Sequence, residues 1–175
     1  MIQNFDLSIF NAIHDLAGKS RILDFFGVFF ADYSGYLLVL AAIVILSVES
    51  DWRKKFLNFS LLAMSLIISR GIITEAVRFV YYRPRPFVAL DFNPLIAEVN
   101  RGAFPSGHAA FYFALTGVIW ILDRKWGWRF GAAAILMGLA RIFTGVHWPL
   151  DVVAGSATGL ASVLLSAYLL KRKIK

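Results

Sequence analysis

The chain reads as all-α: a polytopic membrane helical bundle of about five transmembrane helices with an N-terminal interfacial amphipathic helix. Three observations predict this. Of 175 residues, 59% are hydrophobic, including 16 Phe and 5 Trp, and the mean hydropathy is +0.68, above what a soluble domain of this size carries. The apolar residues gather into runs at roughly 23–48, 56–77, 108–122, 129–146 and 150–170, most of which reach the ~20 residues a helix needs to cross hydrocarbon. Many of the basic residues sit in short clusters between those runs. Backbone in hydrocarbon must satisfy its own hydrogen bonds, and helices do so within one segment. No repeat, low-complexity stretch or linker interrupts the chain, so residues 1–175 are expected to form a single integral-membrane domain.

In order along the chain, residues 1–21 come first. Phe5, Ile9, Ile13 and Leu16 recur near a helical period, while Asn4, Asp6, Asn11, Asp15 and Lys19 fill other faces, which predicts the interfacial helix. Asp6 and Asp15 argue against a cleavable signal peptide, and His14 reads as polar surface. The runs 23–48 and 56–77 supply the first two spans. Residues 87–104 mix Phe87, Leu90, Phe92 and Ile96 with Asp91, Glu98 and Asn100, a pattern that predicts an interfacial lid. The run 108–122 is short for a span, so its helix is expected to begin slightly before His108 or to end in the interface. The last two runs complete the bundle.

Basic residues orient it. Arg53, Lys54, Lys55, Arg124, Lys125, Arg129, Lys171, Arg172, Lys173 and Lys175 fall on one side of a five-span chain, and the positive-inside rule assigns that side and the C-terminus to the cytoplasm. Lys19, Arg21, Arg78, Arg83, Arg85, Arg101 and Arg141 fall on the other. No cysteine is present, which removes disulfides and thiolate metal sites. The net charge of +7 does not indicate nucleic acid, because the basic residues do not form a solvated face interleaved with stacking aromatics.

Three segments carry the chemistry: Arg78 with Arg85-Pro86, then Pro105-Ser106-Gly107-His108, then Arg141 with His147 and Asp151. Ionisable residues at a membrane edge are costly and usually functional. No span separates the first two segments and two spans separate His108 from His147, so all three meet on the non-cytoplasmic face. Arg78, Arg85 and Arg141 offer planar forks for phosphate oxygens, or else snorkel to lipid headgroups. Arg83 and Arg101 fit the headgroup reading better. Glu75, three residues before Arg78, is placed to pair with it on one helix face. Ser106-Gly107 opens an apolar span, either as a plain helix cap or as an anion site built on free amide groups. Asp151, four residues after His147, is within reach of one imidazole nitrogen, an arrangement that is either structural or leaves the other nitrogen free to attack.

Written with gaps, Arg78-x6-Arg85-Pro86, Pro105-Ser106-Gly107-His108 and Arg141-x5-His147-x3-Asp151 resemble the three-part signature of the type 2 phosphatidic acid phosphatase (PAP2) superfamily of lipid phosphatases and vanadium haloperoxidases. Two positions depart: Arg78 stands where that family usually has Lys, and Ala140 where it usually has Ser. Phe10-Asn11-Ala12-Ile13-His14, Ile22-Leu23-Asp24 and Arg83-Pro84-Arg85-Pro86-Phe87 are further similar to bacterial undecaprenyl-diphosphate phosphatases of the bacitracin-resistance type. The resemblance implies a PAP2/haloperoxidase-like core and hydrolysis of a polyprenyl diphosphate to its monophosphate, recycling the carrier lipid of cell-wall polymers at the outer face of the cell membrane. It implies His147 as nucleophile through a phosphohistidine, Asp151 orienting it and His108 protonating the leaving group. Arg78, Arg85, Ser106, the Gly107 amide and Arg141 would hold phosphate oxygens, with no metal or other cofactor. Phosphatidylglycerol phosphate, phosphatidic acid and lipid A phosphate carry similar head groups. Rival readings of the same residues are a metal-dependent hydrolase on His108, His147 and Asp151, a Ser106 nucleophile, and a non-catalytic polyprenyl-phosphate carrier or sensor.

Overall fold

The computed structural model describes residues 2–99 and 101–171. Asn100 of the expected lid, and Arg172, Lys173 and Lys175 of the cytoplasmic cluster, lie outside the described residues. Among the described residues every regular element is helical. Helix α1 covers Ile2–His14, α2 Arg21–Ser47, α3 Trp52–Val80, the short α4 Pro86–Ala89, α5 Gly107–Leu122, α6 Arg124–Phe143 and α7 Pro149–Leu169. Of these, α2, α3 and α7 are long and apolar enough to cross a membrane, and α5 is a shorter apolar helix.

The five apolar runs thus become five long helices, with displaced ends. Helix α6 starts earlier than the run 129–146 because Asp123 caps it, accepting from the Trp126 amide at 3.0 Å. It stops at Phe143 because Gly145 adopts φ +82°, a left-handed conformation that breaks the helix and frees Thr144–Trp148 as a turn. Asp51 caps α3 in the same way, accepting from the Arg53 amide at 2.9 Å. Two wide π segments, Phe29–Tyr33 in α2 and Ile67–Ile73 in α3, interrupt otherwise regular helices.

Helix α5 sits at the centre. Leu115, Val118 and Ile119 pack with Ala42, Leu46, Leu61, Phe130, Val163 and Ala167 from surrounding helices. Its approach to α7 is the tightest in the bundle: a Cβ on Gly159 would lie 2.5 Å from the Ala110 carbonyl oxygen, and one on Gly155 would lie 2.3 Å from that of Ser106. Small residues four apart let helix backbones touch in a medium where apolar burial alone gives little attraction. Large apolar side chains such as Leu37, Leu40, Ile67, Leu136, Val153 and Leu164 point outward and are exposed, as lipid-facing residues are.

Helix α1 differs from the expected interfacial helix in one respect. Asp6, placed by its periodicity on a polar face, is 1% exposed, and Phe10 on the next turn is equally buried against Trp148. The helix docks on the turn that carries His147.

Candidate active site

The start of α7 and the start of α5 are joined directly, since the Ser106 amide donates to the Asp151 carbonyl at 2.9 Å. Ser106 caps α5 through its hydroxyl, which accepts from the Ala109 amide at 3.4 Å. Between α6 and α7, the turn folds back on its own helix, with the Val146 and His147 amides donating to the Arg141 carbonyl at 3.2 and 3.3 Å. This turns the His147 imidazole inward, where it is 1% exposed. Burial, with Arg141 and Arg85 nearby, pulls its pKa well below the usual histidine value, so the ring is neutral.

Around that ring the arginines converge. Arg85, 4% exposed, donates to the Val146 carbonyl at 3.1 Å and to the Arg101 carbonyl at 3.2 Å, and its Nη1 lies 3.5 Å from His147 Nε2. Burial lowers the Arg85 pKa to about 10, which leaves it charged at neutral pH. Arg141 is buried at the end of α6, with Asp32 of α2 3.5 Å from its Nη1. Arg78 donates to the Pro105 carbonyl at 3.0 Å while Glu75 lies 3.7 Å from its other terminal nitrogen, a two-sided contact that a lysine's point charge does not make. His108, in the first turn of α5, is half-buried and interacts electrostatically with Arg141, His147 and Glu98. All eight residues singled out in the sequence therefore gather at one end of the bundle. Ala140 sits in an apolar cluster with Ala31, Ile96 and Val146, where a Ser hydroxyl would find those apolar neighbours.

The His147–Asp151 pair is looser than its spacing suggests. Nδ1 lies 3.5 Å from Asp151 Oδ2, and no hydrogen bond to it is formed. The carboxylate is already engaged, accepting from the Trp148 amide at 2.9 Å and from Arg83 at 2.7 Å. A small rotation of either side chain closes the gap, as catalytic pairs commonly do on binding substrate.

Five residues escaped the sequence reading. Arg83 does not face headgroups: it bridges Asp151 and Asp6, and lies over the Trp148 ring at 5.4 Å. Burial works against its charge, but the two carboxylates outweigh that and raise its pKa. Asp6 in turn accepts from the Leu150 amide at 2.9 Å. His14 is likewise not free surface, because its Nδ1 bonds the Phe143 carbonyl at 2.8 Å and its ring stacks on Phe10. Glu98 enters the arginine ring, paired closely with Arg141 and 3.5 Å from Arg85. Burial raises its pKa, yet Arg141 and Arg85 prevail and hold it below the usual carboxylate value. Arg70, a lone cation inside the run 56–77, pairs with Glu75 more closely than Arg78 does. Its position within an apolar run was the available signal.

A membrane-embedded helical bundle presenting arginine forks and a buried imidazole is the architecture of a lipid phosphatase, and the chain belongs to the PAP2 superfamily, whose family model matches residues 59–175. It is 33% identical over 147 residues to undecaprenyl-diphosphatase BcrC of Bacillus subtilis (strain 168), covering 83% of this chain and 74% of that protein. Among solved structures it resembles Aquifex aeolicus LpxE, with a TM-score of 0.76 at 25% identity over 93% of this chain and 94% of that one. It shares the fold of a transmembrane PAP2 type phosphatidylglycerolphosphate phosphatase from Bacillus subtilis, with a TM-score of 0.63 at 21% identity over 97% and 86% of the two chains.

Proposed function

We propose that this membrane enzyme removes the terminal phosphate of undecaprenyl diphosphate, with His147 as the nucleophile. The observation that carries the reading is Glu98: an ionised carboxylate held between Arg141 and Arg85, whose Nη1 lies 3.5 Å from both Glu98 and His147 Nε2, occupies a place suited to a phosphoryl group. A lipid phosphate displaces it and takes over the forks. The segment 87–104 then acts as a lid, anchored across the His147 turn by the Leu95 amide, which donates to the Thr144 carbonyl at 3.1 Å.

In the reaction, the Nε2 lone pair of neutral His147 attacks the terminal phosphorus, and the bond from phosphorus to the bridging oxygen breaks. His108 gives its proton to that oxygen, and undecaprenyl phosphate leaves. Water then attacks the phosphohistidine, His108 takes back a proton, the P–N bond breaks and inorganic phosphate departs. Asp151 orients the His147 ring and stabilises its positive charge. Arg78, Arg85, Arg141, Ser106 and the Gly107 amide bind the non-bridging oxygens, so positioning and preorganised charge supply most of the rate. The site faces away from the cytoplasm. Supporting this, Arg53, Lys54, Lys55, Arg124 and Lys125 lie at the opposite ends of the helices that carry the site.

The test is a lipid panel on detergent-purified protein at matched surface concentration. Undecaprenyl diphosphate is expected to be turned over fastest, ahead of phosphatidylglycerol phosphate, phosphatidic acid and lipid A phosphate. A faster monoester substrate would transfer the assignment to that lipid, and binding without turnover of any would make the protein a carrier. Activity lost to a chelator and restored by Zn²⁺ would replace the mechanism with a metal-dependent one.

The pH dependence of kcat/KM, which reports the free enzyme's essential groups, is expected to show a rising limb set by His147. Because the His147 pKa is lowered from 6.5, the fraction of nucleophile in its neutral form is complete above that value, and the rising limb falls below pH 6.5. The falling limb belongs to kcat, because bound phosphate keeps His108 protonated in the complex, and His108→Asn should remove it. A rising limb centred above pH 7 would contradict a buried, cation-flanked nucleophile.

A further inference from the structure

Arg70 is a cation near the site that this mechanism leaves unused, and its placement is unusual. It lies ten residues before the end of α3 at Val80, so about 15 Å deeper along the helix axis. The flanking Ile67 and Ile72 are exposed, as lipid-facing residues are, and a Cβ on Gly71 would meet nothing within 4 Å. An arginine on that face, 39% exposed, is costly without a task. The π segment Ile67–Ile73 surrounds it, and such wide turns often re-aim a side chain at a functional site.

The side chain turns toward the phosphate cradle. Its guanidinium comes close to Gly107: a Cβ there would stand 2.6 Å from Arg70 Nε and 3.1 Å from Cζ. A Cβ at 107 would force the Arg70 side chain to shift. Glu75 links it outward, paired with Arg70 and 3.7 Å from Arg78. Arg70 thus adjoins His108, the leaving-group acid, from the helix that carries the exposed Ile67 and Ile72.

In-line displacement places the leaving oxygen opposite the attacking nitrogen. Beyond that oxygen a lipid monoester has carbon, whereas a lipid diphosphate has a second phosphate, followed by the hydrocarbon chain. The group that meets this second phosphate must lie past His108 and toward the membrane. We propose that Arg70 binds the chain-bearing phosphate of a lipid diphosphate and thereby sets a preference for anhydride over monoester substrates. The inference rests on the diphosphatase reading above. Negative charge grows on this phosphate as the P–O bond breaks, so the fork binds the transition state more strongly than the ground state and acts mainly on kcat. Glu75 holds the fork until the phosphate replaces it.

The experiment compares the parent protein, Arg70→Gln and Arg70→Lys on farnesyl diphosphate and farnesyl monophosphate in mixed micelles. Arg70→Gln is expected to lose about 10- to 100-fold in kcat/KM on the diphosphate, mostly in kcat, and under about 3-fold on the monophosphate, the loss of one charge-assisted hydrogen-bonding group. Arg70→Lys, which keeps charge without the fork, should fall between. Monophosphate turnover reports that each variant is folded. Equal losses on both substrates, or none on the diphosphate in a parent that cleaves it, overturn the role of Arg70 alone. A parent inert toward the diphosphate overturns the diphosphatase reading and this inference with it.

Discussion

His147→Ala is expected to reduce turnover of undecaprenyl diphosphate by at least about 10⁴-fold while the protein still binds the lipid. Removing a nucleophile in an otherwise intact site typically costs this much or more, because the remaining groups have nothing to deliver to the substrate. The arginines survive the substitution: Arg85 is held by the Val146 and Arg101 carbonyls and Arg78 by that of Pro105, none of which involves the imidazole. Lipid binding measured by competition should therefore change little. Ser106→Ala is the informative contrast. Its hydroxyl caps α5 from a fully buried position, so its loss costs about 1 kcal/mol of helix stability and a modest part of phosphate binding. Rapid quenching with terminally labelled substrate should trap acid-labile label on the parent protein and none on His147→Ala. Label that persists on His147→Ala and vanishes in Ser106→Ala would make the serine the nucleophile.

What made this centre readable from sequence was charge in an apolar context. Arg78, His108 and His147 stand at the edges of hydrophobic runs, Arg141 near the end of one and Arg85 in the segment between two, where each needs a reason to be there, and an even number of spans returns them to one face. Helix parity was thus enough to bring these residues to one end of the bundle. The partners of these residues were not readable. Asp6 and Asp151 lie 145 positions apart, and only the docking of α1 on the His147 turn, through Phe10 and Trp148, brings both carboxylates onto Arg83. Periodicity placed Asp6 on a solvated face because amphipathic spacing says which residues share a side, not what covers that side. Glu98 was hidden for a similar reason: it belongs to a segment of irregular backbone whose path is set by Phe92 against Gly145 and by buried Ile96, contacts no local pattern encodes. The end of α6 was missed because a single left-handed glycine, at position 145, overrides an apolar run that continues through Val146.

Arg83→Ala should then be the most damaging substitution outside the phosphate cradle, affecting both stability and rate. Asp151 is 0% exposed and Asp6 1% exposed, and Arg83 is the cation that both contact. Removing one partner of a buried ion pair typically costs about 3–5 kcal/mol, because the charge left behind keeps its desolvation penalty without compensation. In a chain of this size that corresponds to a thermal midpoint lower by roughly 10 °C in detergent. The rate should fall by about 100-fold as well, since Asp151 loses the contact that fixes its Oδ1 and with it the register of its Oδ2 against His147 Nδ1. Asp6→Asn separates the two effects. It leaves Arg83 on Asp151 but weakens the tie to α1, so most of the stability loss should appear with a smaller loss of rate. The double variant should be little worse than Arg83→Ala alone, because both substitutions break one network. Strict additivity of the two, or an Arg83→Ala protein as stable and active as its parent, would return Arg83 to the role of a headgroup-binding surface cation.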